Sequence, residues 1–316
     1  MTTSQLQTIP AVLSIIGDTP MIELSFSAEG VKLLAKCEFR NPTGSVKDRL
    51  AKHVLLHAHQ NGLLRPDSII LECSSGNTGI AMAMVGRVLG YQVTILMSRS
   101  ASEERRKLIR QLGAELILFD SEGRYQTGIE ISNRMAQENP RYFLPRQFEN
   151  PLNVEDHEFG TGLEILSQVD GPIAAFVSGF GTGGTLAGCG KAIKKKWPDA
   201  LICAMQPSST ELMAGECPCC HVIEGVADGF VPKLLQDAPL DRRISVSGLD
   251  ATRMTRRLHR EFGLLVGTSS GANVAAALQV AMELPAGANV VTLLCDRAER
   301  YFSTPLFDLP GAESQL

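Results

Sequence analysis

Lys47 is the side chain whose type and setting best suit covalent chemistry. It follows Asn41-Pro42-Thr43-Gly44-Ser45-Val46 and falls at the start of a helix-patterned stretch over 48–61. Acids are preferred in a first helical turn, and the positive end of the helix dipole disfavours an ammonium there. A lowered amine pKa is what a Schiff-base lysine needs. Taken alone, a solvated lysine is the stronger reading, and its company changes that. Four segments, 41–49 (NPTGSVKDR), 74–79 (SSGNTG), 178–185 (SGFGTGGT) and 267–272 (GTSSGA), each join a strand-like run to a helix-like one. Small residues and hydroxyls at a helix N-terminus leave backbone N–H groups at the positive end of the dipole, which suits anions. One such loop is an ordinary α/β turn. Four in one chain, three of them rich in Ser and Thr, are harder to read that way.

The 178–185 loop carries a competing signal. Gly179, Gly181 and Gly184 satisfy G-x-G-x-x-G between a strand and a helix. A dinucleotide site then wants an acid about 20 residues on, at the end of the next strand. That strand, 201–206, ends in Gln206-Pro207, and no Lys-Ser/Thr follows the loop as a nucleoside triphosphate site requires. Thr182 and Thr185 instead suit a single phosphate held by N–H groups and hydroxyls.

The elements that must position these loops alternate along the chain. Strand-like runs cover 31–38, 68–73, 92–97, 115–119, 173–178, 201–206 and 289–295. Helix-like stretches cover 48–61, 77–89, 102–112, 127–139, 182–196, 251–262 and 270–284. Such alternation predicts parallel sheets with right-handed crossovers, and ligands at the carboxyl ends of the strands. The 316 residues suit about two domains. Pro140, Pro145 and Pro151 interrupt the periodicity and mark a weak boundary.

Composition excludes several classes. With 30 basic and 34 acidic residues the net charge is −4, so no global field recommends nucleic acid or anionic lipid as a partner. No run of 18 apolar residues predicts a membrane span, and the N-terminus lacks a basic-then-apolar leader, which makes the cytoplasm the default expectation. Glycine, at 29 residues, is only mildly abundant. Of eight cysteines, Cys37, Cys73, Cys189, Cys203 and Cys295 sit in apolar segments and read as core residues. Cys217, Cys219, Cys220 and His221 form a cluster, but adjacent cysteines aim poorly at one ion and no second pair exists. A surface loop is the stronger reading there, ahead of a redox-sensitive loop or a metal site. His53, His57 and His59 read as a solvated helix face, His157 as structural, and Lys194-Lys195-Lys196 as a solvated helix end.

A phosphate cradle, a reactive lysine and serine-rich helix starts together suit pyridoxal phosphate. On these motifs, in this order, the chain from Gly17-Asp18-Thr19-Pro20 to Tyr301-Phe302-Ser303-Thr304 resembles the fold type II (β-family) pyridoxal-phosphate enzymes, and among them the cysteine synthases (O-acetylserine sulfhydrylases). The resemblance implies a tryptophan synthase β-like α/β fold: two three-layer αβα domains with largely parallel twisted sheets and the cofactor in the cleft. Residues 38–149 would form a smaller mobile domain, and 1–37 with 150–316 a larger one that binds the phosphate.

By the same resemblance, Lys47 carries the cofactor. Gly181, Thr182, Gly183, Gly184 and Thr185 cradle its phosphate, Asn77 bonds its 3′-oxygen and Ser269 its pyridine nitrogen. Ser74, Ser75, Thr78 and Gln147 hold the substrate carboxylate, and Gly225 closes over the bound substrate. The implied reaction is β-replacement on O-acetyl-L-serine through an aminoacrylate, with sulfide giving L-cysteine. Homocysteine, thiosulfate or an amine are alternative nucleophiles, and serine/threonine dehydration an alternative outcome. The resemblance also implies a homodimer and docking of the serine acetyltransferase tail. Asp228 departs from the small uncharged residues usual after Gly225. A surface acid remote from the reacting atoms is the stronger reading of Asp228; a carboxylate at the mouth of the site would repel an anionic second substrate and attract a cationic one.

Overall fold

The computed structural model describes residues 9–308, except 28, 75, 121–124, 210–221 and 228. Its strands are β1 (Met21–Phe26), β2 (Val31–Cys37), β3 (Ile69–Cys73), β4 (Gln92–Ser98), β5 (Glu115–Phe119), β6 (Tyr142–Phe143), β7 (Ile173–Gly179), β8 (Leu201–Pro207), β9 (Arg242–Val246) and β10 (Asn289–Leu294). Six of them form one sheet in the order β1-β2-β10-β7-β8-β9, and four form a second in the order β5-β4-β3-β6. Every pairing is parallel except β1 with β2. Parallel strands need crossovers, and the helix-patterned stretches supply them: α1 (Ala11–Ser14), α2 (Lys47–Gln60), α3 (Asn77–Val88), α4 (Glu103–Gln111), α5 (Tyr125–Glu138), α6 (Leu152–Asp156), α7 (Gly162–Gln168), α8 (Gly184–Lys196), α9 (Gly248–Phe262) and α10 (Thr268–Glu283).

Helices on both faces bury the central strands twice over, which is why these strands are apolar throughout. Along β7, Ala175 and Val177 pack with α9 and α10, while Phe176 between them packs with α7 and α8. The four-stranded sheet repeats the scheme. Ile70, Val93 and Ile95 face α2 and α3, whereas Leu71, Cys73 and Leu96 face α5. The fold is thus α/β with two three-layer bodies. The N-terminal segment touches both: β1 and β2 belong to the six-stranded sheet, and Leu13 and Ile16 sit in the core around α2 and α3.

Three strands lay outside the sequence pattern. β1 and β9 are edge strands with alternating burial, and β6 is two residues long. The helical run from Leu152 to Gln168 was also missed. It is broken by a π-helical turn at His157–Thr161, which destroys a 3.6-residue repeat. Cys37, Cys73, Cys189 and Cys203 are buried thiols, and burial pushes Cys37 and Cys203 up to about 11. Among the described residues, no helix is long and apolar enough to cross a membrane, and no cluster of three His, Cys, Asp or Glu is placed to hold a metal ion. The cluster of Cys217, Cys219, Cys220 and His221 lies outside the described residues.

Candidate active site

The carboxyl ends of β3, β7 and β10 open onto one cleft lined by residues from both sheets. Lys47 is its cationic centre. It is the first residue of α2, so the helix start lies one residue earlier than the sequence pattern placed it. The turn before it is fastened to the far side of the cleft. Val46 N–H donates to the Cys295 carbonyl at 2.9 Å, Arg297 N–H to the Gly44 carbonyl at 3.2 Å, and Arg300 Nη1 to the same carbonyl at 3.0 Å. Asp48 accepts from Thr43 N–H at 2.6 Å and from the Thr43 hydroxyl, which closes the turn from within. Lys47 thus rides on a helix of one body while the end of the other body's sheet fixes its backbone.

The second helix start carries Ser74, Thr78 and Asn77. Ser74 Oγ accepts from the N–H groups of Gly76 (3.1 Å) and Gly79 (2.8 Å). Thr78 Oγ1 donates to Gln147 Oε1 at 2.7 Å. Gln147 Nε2 donates to the Cys73 carbonyl at 2.9 Å and to the Tyr125 hydroxyl at 3.0 Å. Both amide hydrogens of Gln147 are therefore committed to protein, and Gln147 braces Thr78. Asn77 Nδ2 donates to Asp296 Oδ2 at 2.6 Å, and Tyr301 O–H donates to the same oxygen at 2.6 Å. Ser75 and Asp228 lie outside the described residues.

The third helix start is the glycine-threonine run. Gly183 caps α8 at φ +87°, a left-handed conformation, and a Cβ there would meet Leu235 Cγ at 2.7 Å. Glycine is needed on both counts. Asn153 Nδ2 donates to Thr182 Oγ1 at 3.0 Å and to the Gln147 carbonyl at 2.9 Å, which joins this loop to the Thr78 brace. His157 is structural, as expected, and its contacts give it a definite task. Its Nε2 lies 3.0 Å from Thr185 Oγ1, and its Nδ1 lies 2.9 Å from Thr161 Oγ1. Burial, with the nearby cations Lys47 and Arg49, holds its pKa well below the usual histidine range. A neutral imidazole there orients a hydroxyl and adds no charge.

Ser269, the second residue of α10, is buried at the cleft floor beside Cys295, whose thiol burial pushes up to about 12. Asn273 Oδ1, one turn on, accepts from Gly179 N–H at 2.7 Å. Gly225 is exposed at the rim, at φ +81°. Ala227 N–H donates to the Phe180 carbonyl at 2.9 Å, so the rim is tied to the cradle loop. Of the residues expected from sequence and described in the structure, all but Gly184, which packs against Asn153, line this one cleft. Sequence reasoning missed Arg105, Tyr125, Glu224, Asn273 and Asp296. Asn153, two positions after Pro151, drew no role from sequence either.

This donor set fits the expected cofactor. The start of α8 offers backbone N–H groups and two positioned hydroxyls to a phosphate. Asn77 has spent one of its two amide hydrogens on Asp296, and its Oδ1 is buried with no partner among the described residues, a cost of about 1–3 kcal/mol that a polar ligand group would relieve.

Behind Gln147, Glu72 on β3 is buried with Oε2 unpartnered. Burial pushes its pKa up to about 8, against hydrogen bonds from Gln147 and Cys73 that pull it down. The folded state therefore holds this proton between about pH 4.5 and 8, and Glu72 costs stability as pH rises through that window. Glu72→Gln is expected to remove the slope, with unfolding free energies from denaturant melts that match wild type near pH 5 and exceed it by a few kcal/mol at pH 9. A variant that tracks wild type at both pH values would refute the protonated state.

Residues 12–296 match the family described as pyridoxal-phosphate dependent enzyme. The cysteine synthase of Staphylococcus aureus strain Mu50 is 41% identical over 299 residues, which is 94% of this chain and 96% of that protein. Among solved structures, O-ureido-L-serine synthase superposes with a TM-score of 0.90 at 40% identity, covering 97% of this chain and 98% of the other. A hydrogen sulfide-producing enzyme from Fusobacterium nucleatum superposes with a TM-score of 0.89 at 40% identity, covering 94% of this chain and 90% of that one.

Proposed function

The chain belongs to the pyridoxal-phosphate dependent enzymes, as a fold type II β-replacement enzyme, and on that footing we propose that it converts O-acetyl-L-serine and sulfide to L-cysteine. The observation that carries this reading is the convergence of Lys47, the 74–78 loop and the 181–185 loop on one cleft. Pyridoxal phosphate, when bound, supplies the ring that withdraws the electron pair left at the substrate Cα. The 181–185 N–H groups and hydroxyls hold its phosphate, Asn77 Nδ2 its 3′-oxygen, Ser269 its ring nitrogen, and Lys47 Nζ its carbonyl carbon. A neutral serine at the ring nitrogen favours prompt loss of the β-substituent.

The α-carboxylate of the amino acid binds the hydroxyls of Ser74 and Ser75 and the N–H groups at the start of α3, Thr78 N–H among them, while Gln147 holds the Thr78 side chain. Lys47 Nζ takes the proton from Cα. Gly225 leaves space above the bound amino acid. Residues 38–149 act as the mobile substrate domain against 1–37 and 150–316, and their closure excludes water. On the same reading the protein is a cytoplasmic homodimer whose cleft also docks the serine acetyltransferase tail; a pull-down with that enzyme tests the docking.

A nucleophile panel tests the reaction. With O-acetylserine, sulfide is expected to give cysteine at least about tenfold faster than homocysteine, thiosulfate or a primary amine gives its adduct, a difference of ~1.4 kcal/mol. Faster product from another nucleophile would reassign the second substrate. Pyruvate as the main product from serine would overturn β-replacement in favour of dehydration.

A further inference from the structure

Among the described residues, the charged side chains lining the cleft are Lys47, Arg105 and Glu224. Lys47 is assigned to the cofactor, so the other two set the fixed charge that an incoming nucleophile meets. Arg105 comes from α4 on the four-stranded sheet, and Glu224 from the rim loop of the other body, next to Gly225. The guanidinium is held on three sides. Its Cζ stands 4.9 Å from the centre of the Tyr301 ring, and its Nη1 pairs with Glu224 Oε2. Its Nε packs so close to Gly76 that a Cβ there would lie 2.6 Å away. The Arg105 side chain is 5% exposed, whereas Glu224 is 34% exposed at the mouth. Arg105 Nε is buried and has no partner among the described residues.

A buried guanidinium with a spare N–H is a strong site for an oxyanion, because planar fork geometry matches paired oxygens. Glu224 already fills that role here and cancels the charge. We propose that the Arg105–Glu224 pair is the charge filter for the second substrate: with the guanidinium cancelled, the cleft takes a small neutral or singly charged sulfur nucleophile and turns away a dianion. This inference rests on the β-replacement reading and names its second-substrate class.

The test compares thiosulfate with sulfide as nucleophile in Glu224→Gln and wild-type holoenzyme. Using the ratio of the two kcat/KM values removes any shared effect on the first substrate. Freeing one unit charge within the cleft is expected to raise the thiosulfate-to-sulfide ratio by about tenfold or more. Adding Arg105→Gln to that variant is expected to return the ratio to its wild-type value. An unchanged or lower ratio in Glu224→Gln overturns the proposal. Sulfate gives a readout without turnover: it is expected to raise the melting temperature of Glu224→Gln holoenzyme and to leave wild type unmoved. Equal shifts in the two proteins overturn the proposal as well. Should the variant fail to fold, wild type alone decides: competitive inhibition by sulfate against sulfide overturns the filter, and its absence supports it. A wild type that makes no cysteine from sulfide would remove the β-replacement reading instead, while the sulfate shifts would still test the ion pair.

Discussion

Lys47→Ala is expected to lower the β-replacement rate by a factor of about 10³ or more, because no other described residue lining the cleft is suited to take the Cα proton. Tyr125, also on the lining, donates its O–H to the Cys73 carbonyl. Burial pushes the Cys295 thiol up to about 12 and holds the Tyr301 phenol well above its ordinary range. Glu224 is engaged by Arg105, and a guanidinium does not deprotonate. His157 stands behind Thr185 as its hydrogen-bond partner. Lys47→Arg is expected to be as inactive as alanine, since the charge alone does not supply a base. The backbone contacts of Gly44 and Val46 with the 295–300 segment survive both changes, so the fold should survive as well. Initial rates of cysteine formation, with circular dichroism as the folding control, check this. Activity above a tenth of wild type in folded Lys47→Arg would move the proton transfer to another residue.

How much of this was readable from sequence depends on the distance between partners. Seven strands and seven helices announced themselves, because strands buried on both faces are apolar runs and the crossover helices are amphipathic. The edge strands β1 and β9 bury alternate residues only, and Arg242-Arg243 begins β9 with charge, so neither reads as a core strand. Within the site, each helix-start motif is local: loop, cap and functional residue lie within eight positions. Their supports are not. Asn77 and Asp296 are 219 positions apart, Arg105 and Glu224 are 119 apart, and Thr78 and Gln147 are 69 apart. No spacing rule links such pairs, since tertiary folding alone brings them together. Gln147 shows the limit from the other side. Its presence in the site was legible, but the commitment of both its amide hydrogens to Cys73 and Tyr125 was visible only in three dimensions.

Arg49→Met is expected to cost about 3–5 kcal/mol of stability and to cut activity by unseating α2. Arg49 stands two positions after Lys47 and is buried between the two bodies. Its Nε donates to Glu38 Oε2 at 2.7 Å, while its Nη1 and Nη2 reach the two oxygens of Glu164 at 2.7 Å each. Lys36 Nζ pairs with Glu164 at 2.7 Å, and Thr19 and Asn41 donate to Glu38 at 2.7 and 2.9 Å. Two cations thus balance two carboxylates, which lets charges sit at a seam where water is scarce. Methionine keeps much of the volume and removes one cation, leaving an uncompensated buried carboxylate. A loss of this size should lower the melting temperature by roughly 10 °C in a chain of this length.

Its pH dependence separates lost charge from lost packing. In wild type, Arg49 and Lys36 hold the Glu164 carboxyl down to about 2, and Arg49 holds Glu38 below its ordinary value. Both groups therefore contribute stability above the unfolded pKa near 4.5 that is lost at lower pH, for Glu164 as pH falls toward 2. Without Arg49, the desolvated Glu38 is expected to titrate above its unfolded value, so its penalty grows as pH rises. The deficit of the variant should be largest above pH 6 and shrink toward pH 4.5, and Glu38→Gln in the same chain should recover part of it. Denaturant midpoints across that range measure this. A deficit independent of pH would assign Arg49 to packing, and one below ~1 kcal/mol at pH 7 would show that the seam does not depend on its charge.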